Sequence, residues 1–329
     1  MNILGIESSC DETAAAVVRD GKKILSNIVA SSLREHRKFG GIIPEIASRQ
    51  QLKLIHPVVQ KALSQAGLRR NDIDAVAVTE SPGLIGSLLV GTAYSRAWAY
   101  ARKKPHIPID HIKAHLYAGF LEPTNATPFS QSVPDLPAVG LIVSGGHTSL
   151  YYIRDQRHYR LLGQTRDDAA GEAFDKVARI LNLGYPGGPI IDRLARRGTH
   201  SRLRFACARL PNNFDFSFSG IKTAVLYHRQ KLGDLTQHDL AMIAFAFQES
   251  VVAVLVEKAL RACEKMRVKH LVVGGGVAAN SRLRDRLRQA ATALKITVTI
   301  PPLHLCIDNA AMVAGYAYHQ RHKTKTARS

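Results

Sequence analysis

Cysteine is scarce in this chain. Cys10, Cys207, Cys263 and Cys306 are its only four, and no two form a C-x-x-C pair. Their scatter excludes a zinc knuckle or a disulfide frame as the organising device and fits reduced thiols in a cytoplasm. Acidic residues are also few: 26 Asp and Glu stand against 45 Lys and Arg, giving a net charge of +19. A surface of that sign attracts polyanions, nucleic acid first among them. No apolar run reaches the uncharged length of a membrane span. The richest stretch, AMIAFAFQESVVAVLVEKAL, is interrupted by Gln248 and Glu249 and reads as a buried helix. The opening residues, MNILGIESSCDE, have neither the basic nor the apolar region of a signal peptide, so none is expected, and the protein is expected to be cytoplasmic with no membrane partner.

What remains is an ordinary folded composition, 46% hydrophobic and 22% charged, over 329 residues. That length predicts two domains. NILGIESS, AAAVV and ILSNIV read as a meander of three strands. A helix is predicted from Pro44 to Gly67, with a kink at Pro57. DAVAV is a buried strand, Gly86 to Arg102 a helix, HIPI a short strand, and DHIKAHLYAGFL a helix capped by Asp110. The Pro-, Ser- and Thr-rich segment 122–137 is the expected linker. The plan then restarts: AVGLIVS, SLYYI and YRLLGQT form a second meander, followed by a helix through AGEAFDKVARILNLG and a YPGGP loop. Helices near 219–231 and 237–265, the strand HLVVGGG, the helix SRLRDRLRQAATAL, the strand ITVTI and a last helix through DNAAMVAGYAYHQ complete the pattern. Two similar α/β lobes are therefore expected, with a cleft between them. The expected boundaries are 1–130 for the N-terminal lobe and 131–306 for the C-terminal lobe. Residues 307–329 form a final helix and basic tail packing back toward the first.

Several small-residue turns could carry chemistry. Ser8-Ser9-Cys10-Asp11 and Ser144-Gly145-Gly146-His147 end the first hairpin of each half, where backbone N–H groups can approach an anion. VVGGGVAAN is a strand, a glycine turn and a helix start, which aims a helix N-terminus at a ligand. Asp168, Glu172 and Asp175 share a helical face if their helix begins early. His111 and His115 are four apart on a predicted helix, the spacing of a metal grip, and Asp308 is the best third ligand, with helix capping as its ordinary alternative. Two histidines and a carboxylate suit iron(II) or zinc(II) with open positions. The residue after His111 is Ile112, where a zinc peptidase of the H-E-x-x-H type needs its glutamate base.

GIESSCDET, GGIIPEIASR, ESPGLIGSLLVG, DHIKAH, LIVSGGHTSL, DDAAGEAFDKVA, YPGGP, FSFSGIKT, GGGVAAN and DNAAM stand in this order along about residues 2–320, and with them the chain resembles the TsaD family. The resemblance implies an α/β fold of two ribonuclease-H-like lobes of the actin-like ATPase superfamily. It implies transfer of a threonylcarbamoyl group from threonylcarbamoyl-AMP to N6 of the adenosine beside the anticodon, in tRNAs that read ANN codons. The implied metal ligands are His111, His115 and Asp308, holding iron(II), with zinc(II) as the alternative. Ile142, Val143, Ser144, Gly145, Gly146, Asp175, Gly188, Asp192 and Asn280 would contact the nucleotide and acyl group. The implied partners are tRNA, the TsaB paralogue and the TsaE ATPase. Glu12 and His147, on the two tips, are candidates for moving the proton of the adenine amine. A metal-dependent endopeptidase and a nucleotide-dependent binding module are the competing functions.

Overall fold

In the computed structural model, residues 1–122, 133–198, 203–208, 210 and 213–320 are described. The chain divides into two compact units, residues 1–133 with 301–329, and residues 134–300. The divisions fall at 133 and 300, against the 130 and 306 expected from sequence.

The first unit opens with β1 (Asn2–Glu7), β2 (Glu12–Arg19) and β3 (Lys23–Ser31), an antiparallel meander. The short helix α1 (Leu33–Arg37) and the long α2 (Pro44–Gln65) follow. Pro44 sits where a helix has no N–H to lose, and α2 continues through Pro57 rather than ending there. Next come β4 (Ala75–Ser81), α3 (Ile85–Ala101), β5 (His106–Asp110) and α4 (His111–Tyr117). The helix predicted through Leu121 tightens into a 3₁₀ turn at Ala118–Phe120. Strands β4 and β5 run parallel to β1, so the sheet order is β3-β2-β1-β4-β5. Its core is aliphatic, with Leu4, Ile6, Val17, Val59, Val76 and Val78 buried.

The second unit repeats the plan. Strands β6 (Ala138–Val143), β7 (Thr148–Asp155) and β8 (His158–Gln164) form the meander. Helices α5 (Ala170–Ile180), α6 (Gly187–Ala195), α7 (Ser219–Gln230) and α8 (Gln237–Met266) precede β9 (His270–Gly274), α9 (Ser281–Ala293) and β10 (Thr297–Thr299). Read from the other end, the order β10-β9-β6-β7-β8 matches the first sheet position for position. Both units thus have the ribonuclease-H-like sheet. Helix α8 is the one described helix with the length and apolarity to cross a membrane; two thirds of that window, 67%, is buried inside the fold. Its Lys258 is itself buried and donates to the carbonyls of Leu210, Asn213 and Asp215, pinning that loop to the helix.

Two expectations are corrected. YPGGP is not wholly a loop: Gly187 and Gly188 are the first turn of α6, because the Asp175 carboxylate accepts the Gly187 N–H at 2.7 Å. Asp168 lies before α5 and does not share its face. The last helix is capped by Asn309, whose Oδ1 accepts the Met312 N–H at 3.1 Å. Part of the expected linker (123–132) and the basic tail lie outside the described residues.

The last segment returns to the first unit as α10 (Leu303–Cys306) and α11 (Ala310–Gln320). Helix α11 packs on β1 and β2. The contact is close because Gly5 has no side chain: a Cβ there would strike the Ala310 carbonyl and come within 2.8 Å of the Ala314 nitrogen. We expect Gly5→Ala to destabilise the protein by at least about 1–3 kcal/mol, the usual cost of overpacking. A thermal melt checks it, and an unchanged Tm would show that α11 is loosely held.

Candidate functional site

In the first unit, β5 ends at Asp110, whose side chain accepts the Lys113 N–H at 3.0 Å and starts α4. That cap sets His111 and His115 on one face of the helix, their rings edge to face with centroids 4.5 Å apart. The loop before α11 brings in Asp308. Its Oδ1 lies 3.0 Å from His115 Nε2 and 3.6 Å from His111 Nε2. One ligand atom from each of the three residues lies within 4.8 Å of the others, so they could hold a metal ion. Ligands each 2.0–2.1 Å from a shared ion stand roughly 3 Å apart, close to the two spacings measured to Asp308.

The support around the histidines also suits a metal. Glu7, fully buried at the end of β1, accepts from Ser9 N at 2.6 Å and from Thr79 Oγ1 at 2.5 Å. Its remaining partner is His111 Nδ1 at 3.1 Å. A carboxylate on Nδ1 fixes the ring and turns Nε2 toward an ion. Burial alone would raise the Glu7 carboxyl, but the His111 imidazolium and its hydrogen bond bring it below its usual range. Burial opposes the charge on His111 too, yet Glu7 and then Asp308 hold its pKa above the ordinary value. His115 has no such support; its Nδ1 is buried without a hydrogen-bond partner. Burial, Asp11 and Asp308 push the neighbouring Cys10 thiol up, which keeps it protonated and a poor ligand.

The tip between β1 and β2 is clamped from several sides. Gln51 Nε2, from α2, lies 2.9 Å from the Cys10 carbonyl, 3.1 Å from that of Glu12 and 3.3 Å from that of Ser8. Ser87, from α3, also donates to the Cys10 carbonyl at 3.1 Å. Glu12 accepts from Ser31 Oγ at 2.8 Å, while its Oε2 is buried without a partner. Burial, then the Asp11 charge, lifts its pKa to about 7. Glu7 and Gln51 were not singled out from sequence. The signal was there: an acid ends the apolar strand NILGIE, and an amide sits on the buried face of an amphipathic helix.

In the second unit, Ile142 and Val143 are fully buried in β6, the central strand, which pairs with β7 on one side and β9 on the other. Ser144, Gly145, Gly146 and His147 make the turn, closed by Ser144 N donating to the His147 carbonyl at 2.8 Å. A Cβ at Gly145, Gly146 or Gly188 would meet nothing within 4 Å. The other named residues are tied into a ring of contacts. Gly171 of α5 sits against the Ser144 carbonyl. Asp175 joins α5 to α6. Asp192 of α6 accepts from Ser281 Oγ at 2.8 Å. Asn280 caps α9 through Leu283 N at 2.9 Å and donates to Gln248 Oε1 at 2.7 Å. Gly275 closes the ring, since a Cβ there would lie 2.5 Å from the Val143 carbonyl. Asp175, Asp192 and Asn280 thus all serve helix starts, and burial raises the Asp175 carboxyl.

Two repeated five-stranded sheets and a two-histidine, one-carboxylate cluster define an actin-like α/β protein with a candidate metal centre. Solved structures agree on the fold. HypF of T. kodakarensis aligns with a TM-score of 0.65 at 13% identity over 98% of this chain and 48% of that one. The component A of (R)-2-hydroxyglutaryl-CoA dehydratase from Acidaminococcus fermentans aligns at 0.54, with 18% identity over 98% and 99%. The family model described as "TsaD: tRNA N6-adenosine threonylcarbamoyltransferase" matches residues 23–315. The chain is 53% identical to the enzyme of that name from Moorella thermoacetica, over 97% of this chain and 92% of the relative. It is 51% identical to that of Syntrophus aciditrophicus, over 95% and 90%. The chain belongs to the tRNA N6-adenosine threonylcarbamoyltransferase family.

Replacing Glu7 by Gln keeps the shape but removes the charge behind His111. Metal affinity should fall about 10- to 100-fold, measured by titration calorimetry on metal-free protein. Unchanged affinity would mean that Glu7 serves folding alone.

Proposed function

We propose that this chain transfers the threonylcarbamoyl group of threonylcarbamoyl-AMP to N6 of the adenosine beside the anticodon, in tRNAs that read ANN codons, releasing AMP. The observation that carries the proposal is the cluster His111, His115 and Asp308, followed after His111 by Ile112 instead of a peptidase glutamate. It is a place to hold an acyl donor, and an isoleucine stands where the H-E-x-x-H pattern puts the glutamate that activates water. The metal is proposed to be iron(II), with zinc(II) as the alternative, and it would supply Lewis acidity toward an oxygen of the donor. TsaB and TsaE are proposed as protein partners, and the cytoplasm as the compartment.

The chain's own residues supply the rest. The amides of the Ser144–His147 turn and the backbone of Ile142 and Val143 are assigned to the AMP, with Asp175, Gly188, Asp192 and Asn280 around it. The open positions at Gly145, Gly146 and Gly188 support this, since internal packing does not require glycine there. Attack by the exocyclic amine forms the new N–C bond, and the bond to the AMP phosphate oxygen breaks. The amine must lose a proton at or after attack. Glu12 is assigned to accept it, because it stands on the β1–β2 tip and its pKa of about 7 is matched to the task. His147 is the second candidate.

Incubation with TsaB, TsaE, threonylcarbamoyl-AMP and unmodified tRNA should yield threonylcarbamoyladenosine by nucleoside mass analysis. His111→Ala and Asp308→Ala should each reduce the yield at least about 100-fold, and near-normal product from either would refute the metal role. A peptide product, or nucleotide-dependent partner release with no modified nucleoside, would favour the competing functions. Glu12 must be ionised to act, so the rate should rise about tenfold per pH unit below its pKa of about 7 and level off above it. Glu12→Gln should slow the reaction and abolish that rise; a pH profile identical to the parent's would transfer the role to His147.

A further inference from the structure

Helix α1 and the two residues after it form a short projection whose base is bonded to the tip that carries Glu12. Ser31 Oγ donates to Glu12 and accepts the Leu33 N–H at 3.2 Å. Ser32 donates to the Asp11 carbonyl through both its N–H, at 3.2 Å, and its hydroxyl, at 2.7 Å. His36 is fully buried beneath the helix. Its Nδ1 accepts the Ile43 N–H at 3.2 Å, so the ring proton belongs on Nε2, which lies 3.1 Å from Ser32 Oγ. The projection is therefore held by hydrogen bonds at both ends of the ring, and its anchor is the candidate proton acceptor itself.

Its outer face has a different character. Arg34, Arg37 and Lys38 are all exposed, and no carboxylate among the described residues lies within ion-pair distance of any of them. Phe39 is 51% exposed, with Lys38 Nζ 5.2 Å from the centre of its ring. Glu35 is the single acid on the helix. At about 1.5 Å per residue, α1 places Phe39 roughly 10 Å from the tip. An exposed aromatic face set among uncompensated cations is the chemistry that receives unpaired nucleotides: a base stacks on the ring while phosphates meet the cations. We infer that Arg34, Arg37, Lys38 and Phe39 form the surface that grips the single-stranded loop of the RNA substrate and delivers its base to Glu12. The inference rests on the tRNA-modifying function proposed above.

The test uses the full chain with its partner proteins and an unmodified tRNA transcript, measuring affinity across a salt series alongside product formation. Phe39→Ala should weaken tRNA binding roughly tenfold or more, and Phe39→Trp should restore it. The combined variant Arg34→Ala, Arg37→Ala, Lys38→Ala should lower the slope of log K against log salt by about 2, the share of three phosphate contacts to a single strand. Arg70, Lys103 and Lys104 lie just beyond the C-terminal ends of α2 and α3, about 30 Å along α2 from α1. Their triple alanine variant removes the same charge there and should leave affinity and slope nearly unchanged. Equal losses from that control would reduce the effect to net charge and overturn the inference. So would a Phe39→Ala protein that binds like the parent. If the parent binds tRNA as described but forms no threonylcarbamoyladenosine, the proposed reaction fails while the RNA surface stands.

Discussion

The site depends on one buried carboxylate. Glu7 ends an apolar strand and is fully buried, so both of its carboxylate oxygens must find donors within the fold. The tip amide of Ser9, the β4 hydroxyl of Thr79 and the imidazole of His111 meet them. These partners come from the β1–β2 tip, from β4 and from α4. Removing any one leaves a buried charge short of a partner, a loss of about 1–3 kcal/mol or more. The same arrangement that satisfies Glu7 therefore orients His111.

The third ligand is delivered by packing. The chain leaves the first unit after β5 and α4, builds the second, and returns as α11 against β1. Gly5 permits that contact, and Asn309 takes over the helix cap. Asp308 can then turn its carboxylate to both histidines. On the opposite side of the tip, Gln51 and Ser87 hold the backbone through the Cys10 carbonyl, while Ser32 holds it through Asp11. The tip is thus fixed by backbone carbonyls, and the Glu12 side chain keeps one oxygen without a partner.

Much of this was legible in the sequence because it lies in local pattern. The meanders, the helix starts at Pro44 and Asp110, and the i,i+4 histidines follow from periodicity and capping rules. What escaped was decided by long-range partners. YPGGP reads as a loop until the Asp175 carboxylate, twelve residues earlier, is seen to cap its N–H groups. Asp308 and Asn309 are equally good caps on paper, and only the approach of α4 decides which one turns to the histidines. Glu7 looks like the polar end of a strand, because its three partners are scattered from Ser9 to His111. Gln51 is one amide among many in a helix until the three carbonyls near it are placed.

The His111, His115 and Asp308 centre is tested most directly by metal analysis with X-ray absorption spectroscopy on the purified, metal-loaded protein. We expect one ion per chain in a nitrogen and oxygen environment with two imidazoles, lost in the His111→Ala variant. A sulfur ligand, or tight metal binding that survives the loss of His111, would contradict it.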